Sequence, residues 1–251
     1  MATILAVHAH PDDVEILMGG TLALMAGRGH TIRIVTATAG EGGSAEFDPA
    51  ETGRIRQAEA AASAARIGAD YRCLGFPDLG VFNDDASRRA VTELVRWARP
   101  DVVITGSLAD YHPDHEAVSL LVRDACFAAP VANYRTGPAA ALDAIPALYF
   151  TDAIGGRDRD GARLKRDFAV DIGATFATKR AMLAEHRSQQ AWVLRQHGIA
   201  DLGADMEAWS RRVGSDFGVE LAEGFRQYRH PPYPKAAALQ DLVGEALLAN
   251  P

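Results

Sequence analysis

The chain has 251 residues, of which 48% are hydrophobic and 24% charged, so it has the balance of a globular protein with a sizeable core. Its formal net charge is −7 and no block of Lys or Arg stands out, which argues against nucleic-acid and anionic membrane partners. No signal-peptide pattern or membrane-length apolar run is visible, and the two cysteines, Cys73 and Cys126, lack metal-type spacing. We therefore expect a cytoplasmic protein.

Short apolar runs alternate with helical patterns along most of the chain. The predicted strands are 3–8, 31–37, 71–74, 101–105, 147–150 and 168–171. The predicted helices are 13–28, 52–67, 86–98, 113–127, 173–197 and roughly 203–217. This rhythm predicts one α/β domain over residues 1–251, with a mostly parallel sheet flanked by helices and a helical C-terminal region.

Two clusters of histidines and carboxylates follow predicted strands. The run His10-Pro11-Asp12-Asp13-Val14-Glu15 comes after the first strand, and His112-Pro113-Asp114-His115 comes after the fourth. In a doubly wound sheet of order 3-2-1-4-5, strands one and four are neighbours, and ligands bind beyond their carboxyl ends. The two clusters are therefore expected to converge in one crevice.

Such a pair of clusters suits a hydrolytic metal site. Catalytic zinc takes three protein ligands from His and Asp or Glu and leaves a position for water. A nearby carboxylate that does not bind the metal can then accept a proton from the water. Each cluster alone also has a plain structural explanation. The acids are ordinary first-turn helix residues, and the histidines are ordinary capping or surface residues.

The two motifs together resemble the PIG-L/LmbE-like family of zinc-dependent N-acetylglucosaminyl deacetylases. The resemblance extends through Gly19-Gly20-Thr21, Arg56 with Glu59, Gly75-Phe76-Pro77-Asp78 and His186-Arg187-Ser188-Gln189, and so spans about 190 residues. It implies a Rossmann-like fold and hydrolysis of the N-acetyl group of an amino sugar or a related N-acyl compound.

The resemblance also implies roles for individual residues. His10, Asp13 and His115 would bind Zn²⁺, and Asp12 would be the general base. His112 would stabilise the oxyanion, with Asp114 orienting it. Arg56 and Asp78 match positions that contact substrate in the family, although Asp78 also suits a turn cap and Arg56 a helix surface. We expect Tyr111 to line the pocket, and strand-end packing explains it equally well.

Three other patterns have competing interpretations. The run His8-Ala9-His10 matches the HxH motif of barrel-shaped amidohydrolases, and that fold would need eight βα units. In the other interpretation, His8 is a strand-end residue or supports a metal ligand. The run Gly40-Glu41-Gly42-Gly43-Ser44 lacks a phosphate-binding signature and predicts a mobile rim loop. His186 lies near the site or on a helix surface.

Several questions stay open from the sequence. A triad of two His and one carboxylate also suits Fe²⁺, so an iron oxygenase remains an alternative, as does a non-catalytic sugar- or nucleotide-binding protein. The expected partner is a small N-acetylated sugar, but the particular substrate is open. The helices after residue 173 could also support a homo-oligomer.

Overall fold

All eight strands of the structure belong to one sheet. The structure is a computed structural model that describes residues 1–250. The sheet order is β3-β2-β1-β4-β5-β7-β6-β8. The strands are Thr3–His8 (β1), Thr31–Thr38 (β2), Asp70–Phe76 (β3), Val102–Thr105 (β4), Ala147–Thr151 (β5), Phe168–Asp171 (β6), Ala222–Gln227 (β7) and Leu247–Ala249 (β8).

Helices connect and cover these strands. They are Asp13–Gly27 (α1), Pro49–Ala65 (α2), Asp85–Ala98 (α3), Pro113–Ala128 (α4), Phe176–Leu183 (α5), Arg187–His197 (α6), Leu202–Phe217 (α7) and Ala238–Val243 (α8), followed by a short 3₁₀ turn, Gly244–Ala246. Within residues 1–250, none of them combines the length and apolarity required for a membrane crossing.

The first five strands are parallel and follow the predicted order 3-2-1-4-5. Residues 4–7 of β1 and 102–104 of β4 are fully buried. Side chains alternate between the two faces of a strand, so these continuous apolar runs fit strands that are covered on both faces. β1 and β4 pair directly, up to Val7 opposite Thr105, so the loops after them leave the sheet side by side.

The C-terminal region differs from the sequence prediction. β7 inserts antiparallel between β5 and β6, and β8 forms the edge beside β6. The β7 sequence, Ala-Glu-Gly-Phe-Arg-Gln, contains no β-branched residue and so carries little strand signal. The helix predicted over 173–197 is two helices, α5 and α6, separated at residues 184–186.

A buried ion pair explains one of the two charged residues within β7, Glu223. Glu223 contacts Lys179 of α5 at 2.7 Å, and its carboxylate also accepts from the backbone N–H groups of Gly20 and Thr21 in α1. Both charged side chains are almost completely buried. The pair thus links α1, α5 and β7 through long-range contacts that no local pattern in the sequence indicates.

Candidate active site

The two predicted clusters meet beyond the carboxyl ends of the parallel strands β1 and β4. His10 follows β1, and His115 lies in the first turn of α4, after β4. Nδ1 of His10 is 3.2 Å from Nε2 of His115, although 105 positions separate the residues. The pairing of β1 with β4 brings the two rings together.

Asp13 completes a compact triangle with these rings. Its Oδ2 is 3.4 Å from Nδ1 of His10, and its Oδ1 is 3.4 Å from Nε2 of His115. Zinc–ligand distances of about 2.0–2.1 Å in a tetrahedral site imply ligand–ligand separations of about 3.3–3.4 Å. All three residues are buried. The two separations from Asp13 involve different carboxylate oxygens; with that geometry, the spacing and chemistry of the donors fit a zinc ion.

The cluster offers other combinations of donors as well. Three groups have ligand atoms within 4.8 Å of one another: His10 with His112 and His115, His8 with Asp13 and His115, and His10 with Asp78 and Asp114. These groups overlap on the same small volume. No single group contains His10, Asp13 and His115 together, although each of the three belongs to at least one group, so the groups mark a candidate metal site without singling out one ligand set.

Carboxylates face the outward nitrogens of both rings. Oδ1 of Asp78 is 3.2 Å from Nε2 of His10, and Oδ1 of Asp110 is 3.2 Å from Nδ1 of His115. Carboxylates in such positions fix ring orientation and leave the opposite nitrogen free to coordinate a metal. Asp78, which the sequence suggested for substrate contact, therefore also supports His10. Sequence reasoning assigned no role to Asp110, although it stands two residues before His112.

The carboxylates also set the electrostatics of the cluster. Burial lowers the pKa of His10, but hydrogen bonds with carboxylates outweigh it and raise that pKa well above its usual value. Burial raises the pKa of Asp13, but the charges of His115 and His8 outweigh it and hold that pKa well below its usual range. The pKa of Asp78 falls to about 2, because its contacts with His10 outweigh its burial. In the absence of a metal, the carboxylates thus stay ionised and stabilise the protonated form of His10.

His8 contacts Asp13, the carboxylate member of the triangle. Its Nδ1 lies 2.6 Å from Oδ2 of Asp13, and its ring is buried. The other nitrogen, Nε2, faces the backbone of Gly106, where a Cβ would lie only 2.4 Å away. His8 is therefore a strand-end residue that orients Asp13. The open sheet also excludes the barrel that the amidohydrolase interpretation of His8-Ala9-His10 requires.

Asp12 has an unusual backbone conformation. Its φ is 103°, a left-handed value that non-glycine residues rarely adopt, and its side chain lines the same cavity as the triangle. Burial raises the pKa of its carboxyl group; the positive charge of Arg56 opposes this and the negative charge of Asp13 adds to it. Two adjacent acids thus have pKa values shifted in opposite directions, which is typical of an acid–base pair with different roles.

Arg56 holds the backbone around Asp12. Its guanidinium donates to the carbonyl of Gly40 at 2.8 Å and to that of Pro11 at 2.7 Å, and it lies 3.4 Å from Oδ2 of Asp12. A Cβ at Gly40 or Gly43 would lie within 2.6 Å of this guanidinium, which explains the glycines of this loop. Arg56 is buried rather than on the helix surface, and Gly42 and Gly43 line the rim of the cavity.

His112 caps the N-terminus of α4. Its Nδ1 accepts from the backbone N–H of Asp114 at 3.2 Å, which leaves the proton of the neutral ring on Nε2. Burial and the neighbouring histidines His115 and His10 lower the pKa of His112 and so favour this neutral form. The Asp114 carboxylate, expected to orient His112, instead accepts from the backbone N–H of Leu79 at 2.7 Å. Asp114 thus orients His112 through its main chain.

A second buried cluster lies beyond Asp12. Nε2 of His186 is 3.2 Å from Oε1 of Glu15, which also accepts from Ser63 at 2.5 Å. Burial lowers the pKa of His186, but the charge of Glu15 outweighs it and raises that pKa. His186 is 3% exposed, so it is not a helix-surface residue. It stands at the break between α5 and α6.

The side chains around His10, Asp13 and His115 open into one cavity of about 590 Å³. Eight of the nine predicted site residues line it: His10, Asp12, Asp13, Arg56, Asp78, Tyr111, His112 and His115. Asp114 is the exception; its carboxylate accepts from the Leu79 backbone and lies 3.5 Å from Nε2 of His10. Tyr111 is 56% exposed and forms part of the mouth, with its ring against those of His112 and His115.

Comparison with known proteins identifies the family. The sequence profile of the PIG-L family, described as GlcNAc-PI de-N-acetylase, matches residues 5–126. A deacetylase of Nakamurella multipartita, named for 1D-myo-inositol 2-acetamido-2-deoxy-alpha-D-glucopyranoside, is 30% identical over 93% of this chain and 91% of its own. The chain belongs to the PIG-L family, as the paired motifs indicated.

Solved structures agree on the fold. The N,N'-diacetylchitobiose deacetylase of Pyrococcus horikoshii has a TM-score of 0.78 at 21% identity, covering 94% of this chain and 88% of its own. The 4-carboxy-2-hydroxymuconate hydratase of Pseudomonas putida KT2440 has a TM-score of 0.77 at 22% identity, covering 94% of this chain and 100% of its own. Because proteins of both activities share this fold, the reaction must be argued from the site residues.

Proposed function

We propose that this protein is a zinc-dependent hydrolase that removes the N-acetyl group from an amino sugar or sugar conjugate. The triangle of His10, Asp13 and His115, with separations of 3.2–3.4 Å, is the observation that carries the proposal. The relative from Nakamurella multipartita, named as a deacetylase of an inositol-linked acetamido sugar, supports the reaction and the substrate class.

In this proposal, His10, Asp13 and His115 hold the metal. Zinc in such a site supplies Lewis acidity toward a carbonyl oxygen and makes water nucleophilic near neutral pH. His8, Asp78 and Asp110 orient the three ligands through the contacts described above. The same donors suit Fe²⁺, so metal content and activity are to be measured after loading with each ion.

Asp12 is the proposed general base. It accepts a proton from the water that attacks the amide carbonyl and then gives the proton to the leaving amine, so that acetate and a free amine result. Its burial and its contact with Arg56 hold the carboxylate in one position at the cavity wall. The left-handed backbone at Asp12 lets two consecutive acids turn toward different partners.

His112 is the proposed oxyanion donor. Because Nδ1 accepts from the Asp114 backbone, the ring presents an N–H at Nε2. That group would donate to the carbonyl oxygen as negative charge develops on it, and one such donor typically contributes about 10²–10³ in kcat. Tyr111 and Asp78, at the cavity mouth and wall, are the proposed substrate contacts. Arg56 acts there mainly by holding Asp12.

Some properties beyond the reaction are also part of the proposal. We propose that residues 1–251 act as one domain, which is supported by a sheet that contains β1 and β8, from opposite ends of the chain. We propose a cytoplasmic location, which is supported by the two free cysteines, Cys73 and Cys126.

The test is release of amine and acetate from N-acetylglucosamine and its glycosides by zinc-loaded protein, with and without a chelator. Asp12→Asn keeps the size of the side chain and tolerates the left-handed backbone. It is expected to lower kcat by about 10²–10⁴-fold while zinc still binds. Asp101→Asn is the matched control, because Asp101 precedes the amino end of β4, away from the site. Its carboxylate accepts a hydrogen bond from the backbone N–H of Thr3.

Two results would contradict the proposal. One is full activity of the Asp12→Asn variant on every substrate that the unaltered protein cleaves. The other is zinc-loaded protein, with one ion per chain, that releases no amine from any N-acetylated sugar of the panel.

A further inference from the structure

One part of the cavity has no role in the proposed reaction. Beyond the histidines and carboxylates, the cavity is lined by side chains of α6, α7 and the segment between them. We call this the apolar wall and define it by six residues: Trp192, Val193, Ile199, Leu202, Met206 and Trp209. The polar lining residues of α6 and α7 are Gln189, which is buried, and Gln196, Asp205 and Arg212, which are exposed.

The fold alone does not account for this wall. Leu202 and Met206 are buried members of the main core. Trp192, Val193 and Trp209 are only half-buried. Val193 packs partly against the main core and Trp209 against a smaller apolar cluster, and the remaining surface of all three faces the cavity. Large apolar surfaces that a fold leaves open in a concave site typically mark the place of an apolar ligand group.

Trp209 is held in a defined position. A Cβ at Gly156 would lie 2.4 Å from Cη2 of Trp209, so the indole edge rests directly on that backbone. The guanidinium groups of Arg166 and Arg212 lie 5.7 and 5.4 Å from its ring centroid. A ring that is already fixed loses little conformational freedom when a ligand group packs against it.

The chemistry of the wall selects the kind of group that it binds. Sugar hydroxyls placed against Val193, Ile199 and Met206 would lose hydrogen bonds to water without replacing them. An alkyl or aryl group would instead gain from leaving water. We propose that the apolar wall binds an alkyl or aryl substituent of the substrate, next to the N-acyl group that is cleaved.

This inference rests on the proposed deacetylase function and narrows its substrate class. The relative from Nakamurella multipartita is named for an inositol-linked sugar, and inositol is a polyol. The substituent on the wall is either the aglycone of the amino sugar or an acyl chain longer than acetyl. Both share the same chemistry, and substrate series distinguish them.

The first experiment measures kcat/KM for amine release with two series. One contains the methyl, butyl and hexyl glycosides of N-acetylglucosamine, and the other the N-acetyl, N-butyryl and N-hexanoyl forms of methyl glucosaminide. In one or the other of the two series, kcat/KM is expected to rise about fourfold for each methylene added to the alkyl or acyl chain, until the chain covers the wall. Values that stay flat or fall in both series would overturn the inference while leaving the deacetylase function intact.

Variants test whether the wall causes the preference. Trp192→Ala is expected to lower the hexyl-to-methyl, or hexanoyl-to-acetyl, ratio of kcat/KM by about 3- to 10-fold. Val193→Thr, a milder change, is expected to lower it in the same direction. Leu194→Ala is the matched control, because Leu194 is on α6 but is 49% exposed and does not line the cavity. Equal ratios in all three variants would contradict the assignment.

A binding measurement separates the inference from catalysis. Calorimetry on zinc-loaded protein compares hexyl with methyl glucosaminide, and hexanoate with acetate, which are all products and undergo no reaction. In one of the two pairs, the longer compound is expected to bind at least about tenfold tighter. Equal affinities within both pairs would overturn the inference, whether or not any N-acetyl sugar is cleaved.

Discussion

Replacement of His8 by Leu is expected to weaken zinc binding at the proposed metal site without abolishing it. His8 contacts Asp13 at 2.6 Å, which is a hydrogen-bond distance and shorter than the separation of about 3.3–3.4 Å between two ligands of one zinc ion. We therefore expect His8 to orient Asp13 rather than to bind the metal itself. Its Nε2 also faces the Gly106 backbone, away from the triangle.

The size of the effect follows from that contact. A hydrogen bond to a charged group contributes about 1.5–3 kcal/mol, which corresponds to about 10- to 150-fold in Kd. Part of the orientation of Asp13 survives in the variant, because its Oδ2 also accepts from the His10 backbone N–H at 2.8 Å. His8→Asn is expected to restore most of the affinity, since the Asn amide can donate from nearly the same position as Nδ1.

The assay is zinc competition against a fluorescent chelator, with circular dichroism to confirm that each variant is folded. His30→Leu is the matched control, because His30 accepts from the Ala2 backbone at the opposite end of the sheet. An unchanged Kd in His8→Leu would refute the orienting role. A loss of more than about 1,000-fold would show instead that His8 is itself a ligand.

Two further predictions concern stability, measured by urea unfolding. Arg56→Met is expected to lower the free energy of unfolding by about 3 kcal/mol, because the buried carbonyls of Gly40 and Pro11 lose their donor. Arg54→Met, on the exposed face of the same helix, should leave it almost unchanged; equal losses would contradict the role of Arg56. Gly20→Ala is expected to cost about 1–3 kcal/mol, because the new Cβ would lie 2.8 Å from Ile172. Gly27→Ala has open space and should be neutral or stabilising, and a similar loss at both glycines would refute the packing argument.

The sequence by itself determined the first half of the fold and the location of the site. Continuous apolar runs such as residues 4–7, alternating with helical segments, predict strands that are covered on both faces in a parallel sheet between helices. The doubly wound order 3-2-1-4-5 then makes β1 and β4 neighbours. For that reason, the meeting of His10 with His115 was predictable from local patterns and one topological rule.

The sequence was less informative about the residues around the proposed ligands. The sequence suggested a substrate contact for Asp78 but not its contact with His10, and the Asp114 carboxylate meets the Leu79 backbone and His10 rather than His112. Asp110 carried no signal of its own beyond its position two residues before His112. A carboxylate has the same local pattern whether it meets a histidine, a backbone amide or a substrate.

Only the tertiary structure decided the C-terminal half. The strand β7 has no β-branched residue, and its Glu223 is accommodated by Lys179, which is 44 positions away. The apolar wall likewise forms only when α6 and α7 pack beside the sheet edge, so Trp192 and Trp209 come to face the same cavity as His10. Local propensity reports what a segment can form, whereas burial, ion pairing and cavity shape depend on partners that are distant in the chain.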